Sequence, residues 1–93
     1  MKISEITAAN VAEYLKIEDS TDSLLEPVME AAKRYIMDET ALESDELDDH
    51  EDLAIAFLVL CQDLYDNRSY SEAGQKENIV VSSILGHHRR NLL

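Results

Sequence analysis

Hydrophobic residues recur at helical spacing in four segments of this chain, separated by polar stretches. Side chains three and four residues apart share one face of an α-helix, so this spacing predicts helices near residues 7–16, 23–39, 51–67 and 78–85. A content of 45% hydrophobic residues with only two Gly and one Pro favours a compact helical chain. We therefore predict an all-α fold, a small bundle of about four helices that forms one domain over residues 1–93.

The first two predicted helices carry start signals in the sequence. Thr7 is placed to act as an N-cap, because its hydroxyl can accept a hydrogen bond from a backbone N–H in the first turn. Ser23 and Glu26 have the spacing of a capping box, which puts Pro27 in the first turn, where its missing N–H costs least. The second helix then has one apolar stripe, typical of a helix that packs one face on a core: Leu24, Leu25, Val28, Met29, Ala32, Tyr35 and Ile36.

The fourth segment fits two kinds of secondary structure. The run NIVVSSIL, residues 78–85, is rich in β-branched residues, as strands are. Helical spacing also fits, through the apolar residues Ile79, Val80, Ile84 and Leu85. Gly86 follows where a helical C-cap is expected, so we predict a short helix rather than a strand.

The third predicted helix is long and hydrophobic, and it has apolar residues on two sides. Its wide core face holds Leu53, Ala54, Phe57, Leu58, Leu60, Cys61, Leu64 and Tyr65. Ile55 and Val59 fall on the opposite side, beside Gln62. Burying an Ile or Val side chain contributes roughly 1.5–3 kcal/mol, so exposing both would forgo a substantial stabilisation. Either another helix of the same chain covers this side or another subunit does, which makes Ile55, Val59 and Gln62 candidate subunit-interface residues.

The chain is strongly acidic, with a formal net charge of −12 from 20 Asp and Glu against 8 Lys and Arg. Proteins that grip nucleic acid concentrate basic residues to neutralise phosphates, so we expect no such grip. Passing DNA without holding it, or meeting a basic protein, fits this charge. Nine acids lie between Asp38 and Asp52 with no Lys or Arg among them, which predicts an exposed acidic loop over residues 40–50, with a loop that contains a helical turn as the alternative. Asp48 or Asp49 is placed to cap the third helix.

No motif for catalysis, metal binding or cofactor binding is present in the sequence. Cys61 lies on the apolar side of its helix, where a thiol is usually an inert core residue. The acidic segment lacks the spaced carboxylates and the Gly of a calcium-binding loop. His87 and His88 have no acid or thiolate at ligand spacing, and no Gly-rich phosphate loop exists. We expect a protein that is not an enzyme and that carries no metal or cofactor.

Three further features bear on where the protein works. The single cysteine rules out an internal disulfide and suits a reducing cytoplasm. No basic region followed by an apolar one opens the chain, so we expect no secretion signal. The apolar run Leu53–Cys61 is roughly half of the about 20 residues that a bilayer-spanning helix needs, so we expect no membrane partner.

Three stretches of the chain stand in a particular order and spacing: ITAANVAEYLKIEDSTDSLLEPVMEAAKRYIMDET, then after an acidic gap DLAIAFLVLCQDLYDNR, and finally IVVSSILGHHR. Together they resemble the small head–tail connector family of long-tailed phages. Members of this family are also called head-completion or DNA-packaging adaptor proteins. The resemblance spans Ile6 to about Arg89, and Tyr65, Asn67 and Arg68 match the family at the end of the hydrophobic helix. Where the family often has Gly-Arg-type residues after the Thr that closes the second helix, this chain has ALESDE.

The resemblance implies a structural virion protein whose subunits form a ring, a dodecamer in the virion. Such a ring docks under the portal protein after DNA packaging and extends the DNA channel. It also provides the platform for the downstream stopper or tail-completion protein, and genomic DNA passes through it without sequence-specific binding. The implied location is the head–tail interface of the virion, and the host cytoplasm before assembly.

The basic tail, residues 87–93, is a second candidate contact surface. Its charge differs from that of the acidic body, and opposite charge favours docking on an acidic surface. Its candidate contacts to the portal or to a neighbouring subunit are His87, His88, Arg89, Arg90, Leu92 and Leu93.

Two other functions fit the same sequence. One is a small acidic binding module, either a DNA-mimic inhibitor or a regulatory partner protein that occupies a basic site. A DNA mimic should spread its carboxylates in two rows at phosphate-like intervals, whereas the densest acids here lie in the one segment from Asp38 to Asp52. The other is a helical domain of unassigned role, since fold alone does not determine function.

Overall fold

The described part of the chain is helical throughout its regular elements. The computed structural model describes residues 2–17, 23–66 and 79–88. A 3₁₀ turn, Ile3–Glu5, is followed by α1 (Ala8–Leu15), α2 (Leu25–Thr40), α3 (Ser44–Leu47), α4 (Asp52–Asp66) and α5 (Ile79–Gly86). No strand occurs within these three ranges, so the predicted all-α fold is confirmed. No helix in the described ranges is long and apolar enough to cross a membrane.

The start of α1 is set by the predicted cap. The Thr7 side chain accepts a hydrogen bond from the backbone N–H of Asn10, with 3.2 Å between the nitrogen and the hydroxyl oxygen. Asn10 reciprocates, because its side-chain oxygen accepts from the backbone N–H of Thr7 at 2.9 Å. This exchange satisfies two donors that a helix start otherwise leaves without partners, which confirms Thr7 as the N-cap.

The start of α2 differs from the predicted capping box. The helix begins at Leu25, and the residue before it, Leu24, already has right-handed helical backbone angles and makes no side-chain cap hydrogen bond. Ser23 therefore lies one position too early to be the N-cap, and the predicted pairing of Ser23 with Glu26 is wrong. Pro27 does lie in the first turn, as predicted, where its missing N–H costs no hydrogen bond within the helix.

The segment after α2 contains the helical turn that was predicted as the alternative to a plain acidic loop, and this turn is anchored on the core. Thr40 is fully buried, and its hydroxyl donates to the carbonyl of Ile36 at 2.7 Å and accepts from the N–H of Leu42 at 3.3 Å. Leu47, in the single turn of α3, is also fully buried. Two buried anchors thus hold a segment whose acidic side chains lie outside the core.

The hydrophobic helix α4 lies at the centre of the fold. It packs against α2 and α5 most extensively, and also against α1 and the 3₁₀ turn. Six of its residues are buried, namely Leu53, Ala54, Ala56, Phe57, Leu60 and Cys61. Ala56 was not predicted to face the core, and its burial reflects neighbours on more than one side of the helix. The helix begins at Asp52, too late for Asp48 or Asp49 to be its N-cap, so that prediction is wrong.

The last described element, α5, is a helix as predicted, with a different buried face. Val81 and Leu85 are fully buried, whereas Ile79 and Val80 are exposed. Gly86 is the last residue of the helix and does not have the positive φ of a C-cap glycine, so the predicted cap is wrong. The helical spacing of this segment predicted the helix correctly. Apolar residues lie on more than one side of that helix, so the spacing did not determine which side is buried.

Candidate interaction surface

The outward side of α4 is a narrow strip with one prominent apolar residue. Ile55 is 55% exposed, and Gln62 and Asp66 further along the helix are exposed as well. Val59, on the same side, is only half-buried and packs against the core. The subunit-interface prediction for Ile55, Val59 and Gln62 stays a prediction. Of the three, Ile55 is the apolar side chain that the monomer leaves mostly in solvent.

Three further large hydrophobic side chains are exposed among the described residues. Ile79 is 82% exposed, Val80 is 44% exposed and Tyr14 is 40% exposed. Ile79 and Val80 begin α5, whose eight residues include no charged side chain. Single exposed hydrophobic residues are ordinary on protein surfaces. An uncharged helix at the surface of a chain with net charge −12 is less ordinary, and it adds a second apolar area to that of Ile55.

The acidic segment faces solvent with most of its carboxylates. Its exposed acids are Asp38, Glu39, Glu43, Asp45, Asp49 and Glu51. Asp48 instead reaches the N-terminal segment, where its Oδ1 accepts from the backbone N–H of Ser4 at 3.1 Å. Hydrogen bonds from Ser4, first from its side chain and then from its backbone, hold the pKa of Asp48 below its usual value. This carboxylate therefore links two segments that are 44 residues apart.

The C-terminal histidines have different environments. His87 is exposed, whereas the His88 side chain is 15% exposed and its Nε2 lies 2.9 Å from Oδ2 and 3.1 Å from Oδ1 of Asp52. The ring of His50 lies against the ring of His88, with 4.5 Å between their centroids and 54° between their planes. The predicted partner contact of the tail stays a prediction, with His88 already engaged by Asp52. Its other candidates, Arg89, Arg90, Leu92 and Leu93, lie outside the described residues.

Of the three residues that carry the family resemblance at the end of the hydrophobic helix, the structure describes one. Tyr65 is half-buried in the last turn of α4 and packs against the core. Asn67 and Arg68 lie outside the described residues.

Two titratable side chains of α4 have shifted pKa values. Burial raises the pKa of the Cys61 thiol to about 12, so the thiol stays protonated and poorly nucleophilic at neutral pH. Burial, and secondarily the charge of Asp66, raise the pKa of Asp63. Across residues 2–17, 23–66 and 79–88, no group of three or more His, Cys, Asp or Glu side chains is arranged to hold a metal ion.

The contact between His88 and Asp52 was not predicted from the sequence. The two residues are 36 positions apart, and neither belongs to a motif that pairs them. The available signal was positional, because an acid at the start of one helix and a histidine just after the end of another both suit the helix dipoles. Without the packing of α5 on α4, nothing in the sequence brings those two ends together.

Comparison with protein-family models, with curated protein sequences and with solved structures found no match for this chain.

Proposed function

We propose that this protein is a structural subunit of a phage head–tail connector, and that its copies assemble into a ring beneath the portal protein. The ring would extend the DNA channel and carry the downstream stopper or tail-completion protein, without catalysing a reaction. The proposal rests on the sequence resemblance over Ile6 to about Arg89.

The observation that carries the self-association step is the exposure of Ile55. Six residues of α4 are buried in the monomer, yet Ile55 in its first turn is 55% exposed. A ring subunit meets its neighbour head-to-tail and needs an apolar area separate from its own core. The outward strip of α4 supplies such an area, and exposed Ile79 and Val80 add to the apolar surface.

The charge of the protein supports a role around DNA rather than on it. The net charge is −12, and six carboxylates of the acidic segment are exposed. Phosphates are repelled by such a surface, so DNA can slide through a channel lined by it without being retained.

The test compares charge substitutions on the two sides of α4. Ile55→Asp should leave a folded helical monomer, because the new carboxylate faces solvent, and it should abolish assembly into rings or binding to portal-bearing heads. Leu60→Asp should unfold the subunit, since Leu60 is 3% exposed and the charge would be buried without a partner. Ala31→Asp, at an exposed position of α2, is the control that adds the same charge elsewhere.

The measurements are circular dichroism for folding and native mass spectrometry across a concentration series, with and without portal protein. A ring-sized species for the wild type and for Ala31→Asp, absent for Ile55→Asp, supports the proposal. A wild-type protein that stays monomeric or dimeric with portal present and instead binds a basic protein partner would favour the acidic binding module. Equal loss of folding in Ile55→Asp and Leu60→Asp would contradict the interface assignment.

A further inference from the structure

Ile55 and Ile79 are the two most exposed large hydrophobic side chains among the described residues, at 55% and 82%. Ile55 lies in the first turn of α4, and Ile79 is the first residue of α5. The other end of α5 is the one near the start of α4, because His88, just beyond α5, lies 2.9 Å from Asp52. The eight residues of α5 span about 12 Å at about 1.5 Å per residue. Most of the length of α5 therefore separates the two isoleucines, and neither covers the other.

The strip of α4 that carries Ile55 is bordered by acids. Glu51, directly before α4, and Asp66, its last residue, lie on the same side as Ile55 at helical spacing, and both are exposed. Two copies of this strip facing each other would bring these carboxylates together, and like charges oppose such a contact. In a chain with net charge −12, Ile55 thus favours a partner surface that has no acids.

The surface of α5 meets this requirement. Among the helices that the structure describes, α5 is the one without a charged side chain. Its exposed residues beyond Ile79 and Val80 are small, namely Ser83 and Gly86, and a Cβ added at Gly86 would meet no atom within 4 Å. Small side chains let a second helix approach to the usual interaxial distance of about 8–10 Å. A second copy would find here an uncharged face about two turns long, with Ile79 at one end.

We propose that Ile55 of one copy packs against Ile79 and the uncharged face of α5 in the next copy. This pairing rests on the proposed function, and it names the contact between neighbouring subunits of the ring. It joins two different patches of the same chain, which is the kind of contact that repeats from one subunit to the next around a ring. Glu51 and Asp66 remain at the border of the contact, away from other acids.

Cysteine cross-linking of the full chain tests the pairing. Ile55→Cys and Ile79→Cys are mixed in equal amounts, oxidised with copper–phenanthroline and analysed by peptide mass spectrometry, while the native Cys61 is fully buried. The disulfide between positions 55 and 79 of different chains should exceed the 55–55 and 79–79 disulfides about tenfold, as a preference of about 1.4 kcal/mol gives. Ala31→Cys mixed with Ile79→Cys is the control, because Ala31 is exposed on α2.

Complementary charges give a second measurement, by native mass spectrometry across a concentration series. Ile79→Glu should lose self-association, since the new acid would face Glu51 and Asp66, and Ile55→Lys should weaken it. An equal mixture of Ile55→Lys and Ile79→Glu should regain association to within about tenfold of the wild type, because the opposite charges meet in the contact. Ala31→Lys mixed with Ile79→Glu is the control that adds the same positive charge elsewhere.

Several outcomes would overturn the pairing. They are a dominant 55–55 or 79–79 disulfide, no cross-link above the Ala31→Cys background, or equal recovery in the mixture with Ala31→Lys. A chain that combines Ile55→Cys and Ile79→Cys separates the pairing from the ring. Cross-linked species larger than the dimer support both. Disulfides between positions 55 and 79 that stop at the dimer would support the pairing and contradict the proposed ring, because a two-fold dimer uses both contacts at once.

Discussion

Ala41 ends α2 in a conformation that favours glycine. Its φ is 60° and its ψ is 21°, in the left-handed region, where the Cβ of an L-residue is crowded. Its N–H donates to the carbonyl of Met37, so the conformation closes the helix. Ala41→Gly should therefore stabilise the fold by about 0.5–1 kcal/mol, because relief of the left-handed strain exceeds the added flexibility of the unfolded chain.

Chemical denaturation of Ala41→Gly beside Ala31→Gly checks this prediction. Ala31 is exposed in the interior of α2, where glycine should destabilise by about 0.5–1 kcal/mol. The same substitution should thus change stability in opposite directions at two positions of one helix. Destabilisation of similar size in both variants would contradict the left-handed assignment of Ala41.

The acidic segment between α2 and α4 combines one buried apolar anchor, Leu47, with exposed carboxylates at Glu43 and Asp45 that contribute little to stability. Leu47 is fully buried, and its replacement by Ala should cost about 2–5 kcal/mol through lost burial and a cavity. Glu43 and Asp45 are exposed, so Glu43→Gln combined with Asp45→Asn should change stability by no more than about 0.5 kcal/mol. Glu46 is left unchanged, because its carboxylate accepts from the backbone N–H of Glu43 at 2.8 Å.

Urea denaturation at neutral pH of Leu47→Ala and of the combined Glu43→Gln and Asp45→Asn variant measures the change in the free energy of unfolding that each causes. A large loss of stability in the charge-neutralised variant would mean that these carboxylates hold the segment in place. A small effect of Leu47→Ala would mean that α3 is not anchored to the core.

The positions of the helices could be predicted from the sequence, because an apolar stripe at helical spacing becomes the buried face of a helix in the folded protein. The stripe on α2 and the cap at Thr7 are local features, determined by residues within one or two turns, and both are present in the structure. Predictions of local hydrogen bonds were wrong where the side chain makes a contact with a distant part of the chain instead. Asp48, expected to cap the next helix, bonds instead to Ser4. Such a choice depends on packing that no local pattern encodes.

Which apolar side chains of α4 and α5 are exposed could be predicted only in part from the sequence. Ile55 is 55% exposed, on the side of α4 for which the sequence left two alternatives open, cover by another helix of the same chain or by another subunit. Val59 shares that side, yet it is half-buried and packs against the core. On α5, where apolar residues surround the helix, periodicity could not distinguish the buried Val81 from the exposed Ile79.

At the scale of the whole molecule, Asp48 connects the N-terminal segment to the region before α4, and its titration makes stability depend on pH. Its pKa is lowered in the folded protein by hydrogen bonds from Ser4. A lowered folded-state pKa stabilises the fold above the pKa of the unfolded chain, and this stabilisation is lost as the pH falls through the folded-state pKa. Asp48→Asn should therefore be less stable than the wild type at neutral pH and equally stable at strongly acid pH.

Denaturation midpoints of both proteins across this pH range test the expectation. Asp45→Asn, which removes an exposed carboxylate of the same segment, is the control and should follow the wild type closely. If the denaturation midpoints of Asp48→Asn and the wild type differed by the same amount from neutral to acid pH, the loss of stability would have a cause other than titration of Asp48.

The central position of α4 also has a consequence for the order of folding. Its most extensive contacts are with α2, which is separated from it in the chain only by the segment that contains α3, and with α5, which follows beyond residues 67–78. Closing a short loop costs less entropy than closing a long one, and contacts close in sequence form sooner. We therefore expect the packing of α2 on α4 to form the folding nucleus, with Thr40 buried at the end of α2 and Leu47 buried in the segment between the two helices. α5 joins a surface that α4 has already formed.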